Sequence, residues 1–193
     1  MIRLHLTTHA SASAVVAAIE EIGVAYEVLR TDRGDGEPEL EIGAVRIVGS
    51  AAILLWLGDR FPESRLFPPI GAPERAAVST WVTWLANSVH TIGHRLDAVE
   101  GPTLTADVAA TLRAAAATDR AAALDFIDDQ LSGRRYVVGD RCTIADLLMH
   151  MLTEPRDGVD ETSPQTRQAL AAHRALMDAH PSVARMRVRI SPV

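Results

Sequence analysis

The chain has 193 residues, which gives room for one large domain or two small ones that share an interface. Hydrophobic residues make up 48% of it, enough for a sizeable core, and 25 acidic against 19 basic residues give a formal net charge of -6. Because nucleic-acid binding needs a basic face, this balance argues against nucleic acid as a partner. The single cysteine, Cys142, excludes an intramolecular disulfide framework and a cysteine-based zinc site.

The sequence has no mark of a membrane protein. Its apolar runs fall short of the roughly 18 residues that a membrane-spanning helix needs. The opening residues Met1-Ile-Arg-Leu-His-Leu lack the charged and apolar regions of a signal peptide. We therefore expect a cytoplasmic protein with no membrane partner.

The first fifty residues carry the strand signals. Residues 2–6 alternate apolar and polar side chains, as a half-buried strand does. Val15, Ile19 and Ile22 recur at helical spacing before Gly23, a residue type that commonly ends helices. The predicted order is a strand at 2–6, that helix, a strand at 25–29, and a hairpin of 40–42 and 45–48 around Gly43-Ala44.

The rest of the chain is predicted to be helical, because alanine is abundant and aromatic residues are only 4%. A helix led by Ser50 ends at Pro62, and the proline-rich stretch 67–73 is typical of a linker. Beyond it we expect four helices, with apolar stripes at 78–92, 108–131, 144–152 and 169–179. Near the C-terminus, three arginines alternate as on a strand or a tail and are expected to pair with surface acids: Arg185, Arg187 and Arg189.

Three segments together resemble the glutathione transferase superfamily. The first runs from Pro38 through the hairpin to Ser50 and on to Pro62. The second is Gly139-Asp-Arg-Cys-Thr-Ile-Ala-Asp146, and the third is the opening strand, serine-containing loop and helix. The resemblance implies the glutathione transferase architecture, with an α/β thioredoxin-like N-terminal domain at 1–67 and an all-α C-terminal domain at 73–193.

The second segment also has a physical explanation of its own. Thr143 is placed to accept the backbone N–H of Asp146, and the Asp146 carboxylate to accept the N–H of Thr143, as in a helix capping box. Losing such a cap typically lowers the stability of a protein by about 1 kcal/mol. Because stabilising the helix is enough to account for both residues, the motif is interpreted as structural and not catalytic. Cys142 lies beside it and is expected to be buried and inert, because nothing nearby would lower the pKa of its thiol.

The resemblance implies a detoxification enzyme that binds glutathione as a co-substrate and conjugates its thiolate to a small hydrophobic electrophile. A free thiol with a pKa of about 8.5 is mostly protonated at neutral pH, and only the thiolate attacks. A hydroxyl that donates to the sulfur at a helix N-terminus stabilises the thiolate. Ser11 is the catalytic candidate, with Ser13 and His9 as alternatives, and either serine could instead be the N-cap of the first helix.

For the peptide part of glutathione, the resemblance implies four binding residues: Glu37, Pro38, Gly49 and Ser50. Pro38 matches the family's cis-proline, whose preceding residue, here Glu37, pairs through its backbone with the cysteinyl part. Ser50 matches the residue that holds the γ-glutamyl carboxylate, and a serine at a helix N-terminus forms an anion site. The family usually has Glu or Gln before this serine, where this chain has Gly49.

Asn87 and His94 are the candidates for contact with the second substrate. They have the Asn-x6-His spacing of the bacterial beta class, which carries a cysteine where this chain has Ser11. Two helical turns separate them, so both side chains are expected on one face. His90 and His94 are spaced for a metal ion, but with no third ligand nearby in the sequence we expect no metal.

Family members usually form homodimers, and we expect one here, with Trp81 and Trp84 in the core or the dimer interface.

A rival interpretation is a non-catalytic binding or interaction module that has lost glutathione binding, since Gly49 removes one contact and the 30–37 loop is short and polar. A thiol-disulfide reductase is disfavoured because it needs a cysteine in the N-terminal loop, and the only cysteine is Cys142.

Overall fold

A computed structural model describes residues 1–7, 10–31, 37–99, 105–156 and 167–191. Its elements, in chain order, are β1 (Ile2–Leu6), α1 (Ala10–Ile22), β2 (Tyr26–Arg30), β3 (Glu39–Ile42), β4 (Val45–Val48), α2 (Ser50–Arg60), α3 (Pro73–Leu85), α4 (Thr91–Val99), α5 (Ala106–Leu131), α6 (Ile144–Leu152), α7 (Gln168–Asp178) and α8 (Pro181–Ile190). The predicted α/β half followed by an all-helical half is confirmed.

The four strands form one sheet in the order β2-β1-β3-β4. β1 runs parallel to β2 and antiparallel to β3, so that Leu4 lies opposite both Val28 and Leu40. Every second side chain of β1 is buried, which gives the sheet one face packed on helices. The β3–β4 hairpin turns through Gly43 at a φ of 60°, a left-handed conformation that glycine adopts without strain.

Helix α6 is the centre of the helical half. All nine of its residues are buried, and it packs against α1, α3 and α7. Its first residue, Ile144, donates its N–H to the carbonyl oxygen of Leu66 at 2.9 Å, which ties α6 to the segment that follows α2. α1 also packs against α8, so the two halves share one continuous core. Among the described residues, no helix is long and apolar enough to cross a membrane.

The predicted capping box at the start of α6 is confirmed, and the Asp146 carboxylate makes further contacts outside the box. Oδ2 of Asp146 accepts the Thr143 N–H at 2.9 Å and the Thr143 hydroxyl at 2.8 Å. Oδ1 accepts the Val137 N–H at 2.9 Å and lies 3.2 Å from Nε2 of His173. This buried carboxylate therefore joins the loop before α6 to both α6 and α7.

The prediction of a strand or tail at the C-terminal arginines is wrong, because they lie in α8. Pro181 occupies its first turn, and Val183 and Met186 are buried at helical spacing, so the apolar face outweighs the alternation of the arginines. The expected pairing with acids is confirmed: Arg185 and Arg189 lie beside Glu20, and Arg187 beside Asp178.

Replacing Asp146 with asparagine should lower the free energy of unfolding by about 3 kcal/mol. The amide has one acceptor oxygen and one NH2 group, so in either orientation its NH2 faces a backbone N–H that the carboxylate now accepts, that of Val137 or that of Thr143. Urea unfolding measures the change. Asp140→Asn is the matched control, since the side chain of Asp140 is 89% exposed, and equal midpoints for the two variants would contradict this role.

A second prediction concerns His150 of α6, which is buried and whose ring nitrogens have no hydrogen-bond partner in the described parts of the chain, although Nε2 lies 3.4 Å from Oδ1 of Asp178. Burial lowers the pKa of His150 to about 4. Since the unfolded chain takes up a proton near pH 6.5, stability present above that pH is lost as the pH falls toward 4, by on the order of 3 kcal/mol.

Urea unfolding between pH 7 and pH 4 tests this prediction. His150→Leu should flatten the loss of stability toward low pH, because it removes the group that must be protonated on unfolding. His180→Asn, a partly buried histidine at the start of α8, is the control for losing one histidine. Parallel stability curves for wild type and His150→Leu would show that His150 does not carry the effect.

Candidate functional site

A cavity of about 420 Å³ lies where the N-terminal end of α1 faces α4 and the end of α6. One side is formed by Ser11, His90 and His94, and apolar atoms come from Val89, Met151 and Leu152. Charged side chains complete the wall: Asp97, Arg120, Glu154 and Arg156. Two of the predicted site residues, Ser11 and His94, are therefore brought together.

Ser11 lies in the first turn of α1, and its side chain is buried. Its Oγ lies 3.1 Å from Nε2 of His90, a hydrogen-bond distance. Ser13 also lies within α1 and is not among the residues that line the cavity, so the geometry favours Ser11 over Ser13. Because the helix begins at Ala10, neither serine is its N-cap, and His9 lies outside the described residues.

The contact between Ser11 and His90 continues to Glu37. Oε1 of Glu37 lies 3.6 Å from Nδ1 of His90 and 3.6 Å from Nε2 of His94, and the two imidazole rings are 4.3 Å apart between centroids. The sequence indicated Glu37 only through its backbone, and it did not indicate His90 as a partner of Ser11. The helical spacing of the two histidines was the one signal for their proximity.

Of the two candidates for contact with the second substrate, His94 lines the cavity and Asn87 is not among its lining residues. Residues 86–90 form a π-helical turn, in which each turn holds more residues than in an α-helix and the register of the following side chains shifts. As a result Asn87 is exposed, and its side-chain amide donates back to the carbonyl oxygen of Thr83 at 3.0 Å. The same turn ends at His90, which faces the cavity beside His94.

The expectation of a cis-proline is wrong, since no cis peptide bond occurs among the described residues and the Glu37–Pro38 bond is therefore trans. Even before proline, the trans form is favoured by about 0.5–1 kcal/mol. The carbonyl oxygen of Pro38 accepts the N–H of Gly49 at 2.9 Å, which ties the start of β3 to the start of α2.

Ser50 is the first residue of α2 rather than its N-cap, a position taken by Gly49. Gly49 has a φ of 92°, a backbone conformation that a residue with a side chain rarely adopts. Oγ of Ser50 is buried and has no hydrogen-bond partner among the described residues. A buried hydroxyl left unsatisfied costs about 1–3 kcal/mol, so a ligand that bonds to it gains affinity.

Two tryptophans and Phe126 form an aromatic cluster between α3 and α5. The ring centroids of Trp81 and Trp84 lie 5.8 Å and 5.0 Å from that of Phe126, which is 44% exposed. Both tryptophans are only partly buried, so they do not lie in the core of this chain. A role in a dimer interface stays a prediction.

Cys142 lies beside the capping box and is partly buried rather than fully buried as expected, with Sγ 3.7 Å from the carbonyl oxygen of Thr143. Burial raises the pKa of the Cys142 thiol well above its usual range. A thiol that stays protonated is a poor nucleophile, which supports the expectation that Cys142 is inert.

The fold and the site define a class of protein: a thioredoxin-like α/β domain followed by an all-helical domain, with a cavity beside a serine in the first turn of α1. A family model described as "Glutathione S-transferase, C-terminal domain" matches residues 79–181. The chain belongs to the glutathione S-transferase superfamily.

Solved structures agree on the fold. The chain is similar to a glutathione S-transferase from Xylella fastidiosa, with a TM-score of 0.86, 18% identity and 98% of each chain covered. It is similar to a sphingomonad glutathione S-transferase complexed with glutathione, with a TM-score of 0.82, 22% identity and coverage of 95% of this chain and 96% of that one.

A theta class glutathione S-transferase from Xanthomonas axonopodis pv. citri, with glutathione bound, has a TM-score of 0.76 and 23% identity, over 96% of this chain and 95% of that one. At these identities the likeness to solved structures shows the fold alone. No curated protein matches the sequence.

Alkylation of the native protein tests the assignment of Cys142 as inert. Iodoacetamide at pH 7.5 should label Cys142 far more slowly in the folded protein than in urea, because burial keeps its thiol protonated. Mass spectrometry of intact protein measures both rates. Labelling of the folded protein as fast as free cysteine would contradict the assignment.

Proposed function

We propose that the protein is a cytoplasmic, homodimeric glutathione transferase that conjugates the glutathione thiolate to a small apolar electrophile. One observation carries the proposal: the buried hydroxyl of Ser11 lies at a cavity, in the first turn of α1, within hydrogen-bond distance of His90. Glutathione is proposed as the thiol substrate because the chain belongs to this superfamily and because structural neighbours are described with glutathione bound.

Ser11 has the role of donor to the glutathione sulfur. In the tautomer that carries its proton on Nε2, His90 donates to Oγ of Ser11, and the hydroxyl hydrogen is left for a sulfur in the cavity. Lowering the thiol pKa by about two units requires about 2.7 kcal/mol. A hydrogen bond to a charged group contributes about 1.5–3 kcal/mol, and the N-terminal end of α1 adds a favourable dipole.

The peptide part of glutathione is assigned to the corner where β3 meets α2. Here the backbone of Glu37 and Pro38 runs beside Gly49, and the unpartnered hydroxyl of Ser50 lies at the start of α2. A carboxylate at that helix start is favoured by the exposed N–H groups and the helix dipole. His94 and the apolar side chains of α6 are left for the electrophile.

One observation favours the rival function, a binding module without catalysis. A Cβ built on Gly49 would lie 3.7 Å from Oε2 of Glu37, so the Glu37 carboxylate lies next to the assigned carboxylate site. A negatively charged Glu37 beside this site opposes binding of the γ-glutamyl carboxylate unless Glu37 is neutralised. Glutathione affinity therefore discriminates between the two functions.

Calorimetric titration with reduced glutathione should give a dissociation constant between micromolar and low millimolar. Ser50→Ala should weaken binding by roughly 10-fold, the value of one hydrogen bond to a charged group. Absence of heat at about 10 mM glutathione, together with an unchanged melting temperature, would overturn the transferase and favour the binding module.

Turnover with an activated aryl halide tests Ser11. Ser11→Ala should lower kcat/KM by roughly 10- to 100-fold and move the ionisation seen in the pH–rate profile toward the free-thiol pKa of about 8.5. Ser13→Ala is the matched control, because it lies on the same helix but away from the cavity. Equal losses in the two variants, or a loss matched by a drop in melting temperature, would contradict a catalytic Ser11.

A further inference from the structure

Two histidines four residues apart and a glutamate distant in the sequence meet at the cavity, with their ligating atoms close together. Glu37, His90 and His94 each offer one atom, and these atoms lie within 4.8 Å of one another. The carboxylate oxygen of Glu37 is 3.6 Å from a ring nitrogen of each histidine. From this arrangement we infer that Glu37, His90 and His94 form a binding site for a divalent transition-metal ion of the Zn²⁺ type.

The distances are close to what such an ion requires. Zinc binds imidazole nitrogen and carboxylate oxygen at about 2.0–2.2 Å, which places neighbouring donors of a tetrahedral site roughly 3.3–3.5 Å apart. The two contacts of Glu37 exceed this by only a few tenths of an ångström. The third distance is the one between the two histidine nitrogens. Because the ring centroids are 4.3 Å apart, side-chain rotation can bring these nitrogens to the separation that the ion requires.

The donor set selects the class of ion. Two imidazole nitrogens and one carboxylate suit zinc, cobalt, nickel or copper, whereas magnesium and calcium prefer oxygen throughout. Three protein ligands leave a fourth position open in a tetrahedral site, as in catalytic zinc centres. Since His90 and His94 line the cavity, that position is reachable from it.

Ser11 orients one of the ligands. Its Oγ lies 3.1 Å from Nε2 of His90, while Nδ1 of the same ring is the nitrogen that faces Glu37. A metal-bound histidine usually donates its other ring N–H to an acceptor, and Ser11 supplies one here. The expectation of no metal depended on a missing third ligand, and the fold supplies it in Glu37, which is remote in the sequence.

The test uses tag-free protein with Zn²⁺ or Co²⁺ alone and no glutathione. Calorimetry should show one Zn²⁺ per chain with a micromolar dissociation constant, and Co²⁺ should give the visible absorption of a tetrahedral N/O site. His94→Gln and Glu37→Gln should each weaken binding by at least 10-fold, and Ser11→Ala by roughly 10-fold through the orientation of His90. His5→Gln is the matched control, because His5 faces Glu41 at 3.4 Å without a third ligand in the described structure.

Two results would overturn the site: no heat and no shift of the melting temperature at 1 mM Zn²⁺, or binding that both ligand variants retain at the wild-type affinity. Circular dichroism confirms that the variants fold, and His94 is about one-third exposed, so its replacement leaves the core intact. Zinc binding without glutathione binding would leave the metal site in place while contradicting the transferase.

Discussion

A single buried carboxylate holds the helical half together. Asp146 has no solvent exposure, and its two oxygens are met by donors from Val137, Thr143 and His173. A carboxylate buried without such donors costs several kcal/mol, so all of them must be in place at once. Because α6 packs against α1, α3 and α7, the position of its first turn decides where those helices lie.

The shape of the cavity depends on contacts at the C-terminal end of α6. The carbonyl oxygens of Leu152 and Glu154 accept hydrogen bonds from the buried guanidinium of Arg120 at 3.1 Å and 2.7 Å. This contact fixes the chain as it leaves α6 and places a cation in the cavity wall. Burial raises the pKa of Glu154 in the same wall. The opposite wall depends on the π-helical turn, which brings His90 and His94 to face Ser11 and Glu37.

Much of the fold could be predicted from local pattern. The alternation along β1, the glycine turn of the hairpin and the Thr143–Asp146 box each determine their structure from a few neighbouring residues. The C-terminal helix was mispredicted because the arginine alternation is a surface pattern, whereas the buried Val183 and Met186 set the period.

The site was less predictable, for reasons that lie beyond sequence spacing. A π-helical turn has no clear signature in sequence, so the shift that it makes in the register between Asn87 and His94 could not be predicted from their spacing. Gly49 rather than Ser50 is the N-cap of α2, and its φ of 92° is a backbone conformation that glycine adopts without strain. The carboxylate of Glu37 lies close to two histidines only because of the tertiary fold. Glu37 is far from both histidines in the sequence, so no local sequence pattern predicts the contact.

The proposed thiol, peptide and metal sites meet at Glu37. Its carboxylate lies beside the place assigned to the γ-glutamyl group and also between His90 and His94. A cation held by these three side chains would cancel the charge that opposes an anion at the start of α2, so metal and glutathione would bind with positive coupling, each raising the affinity of the other by the same factor.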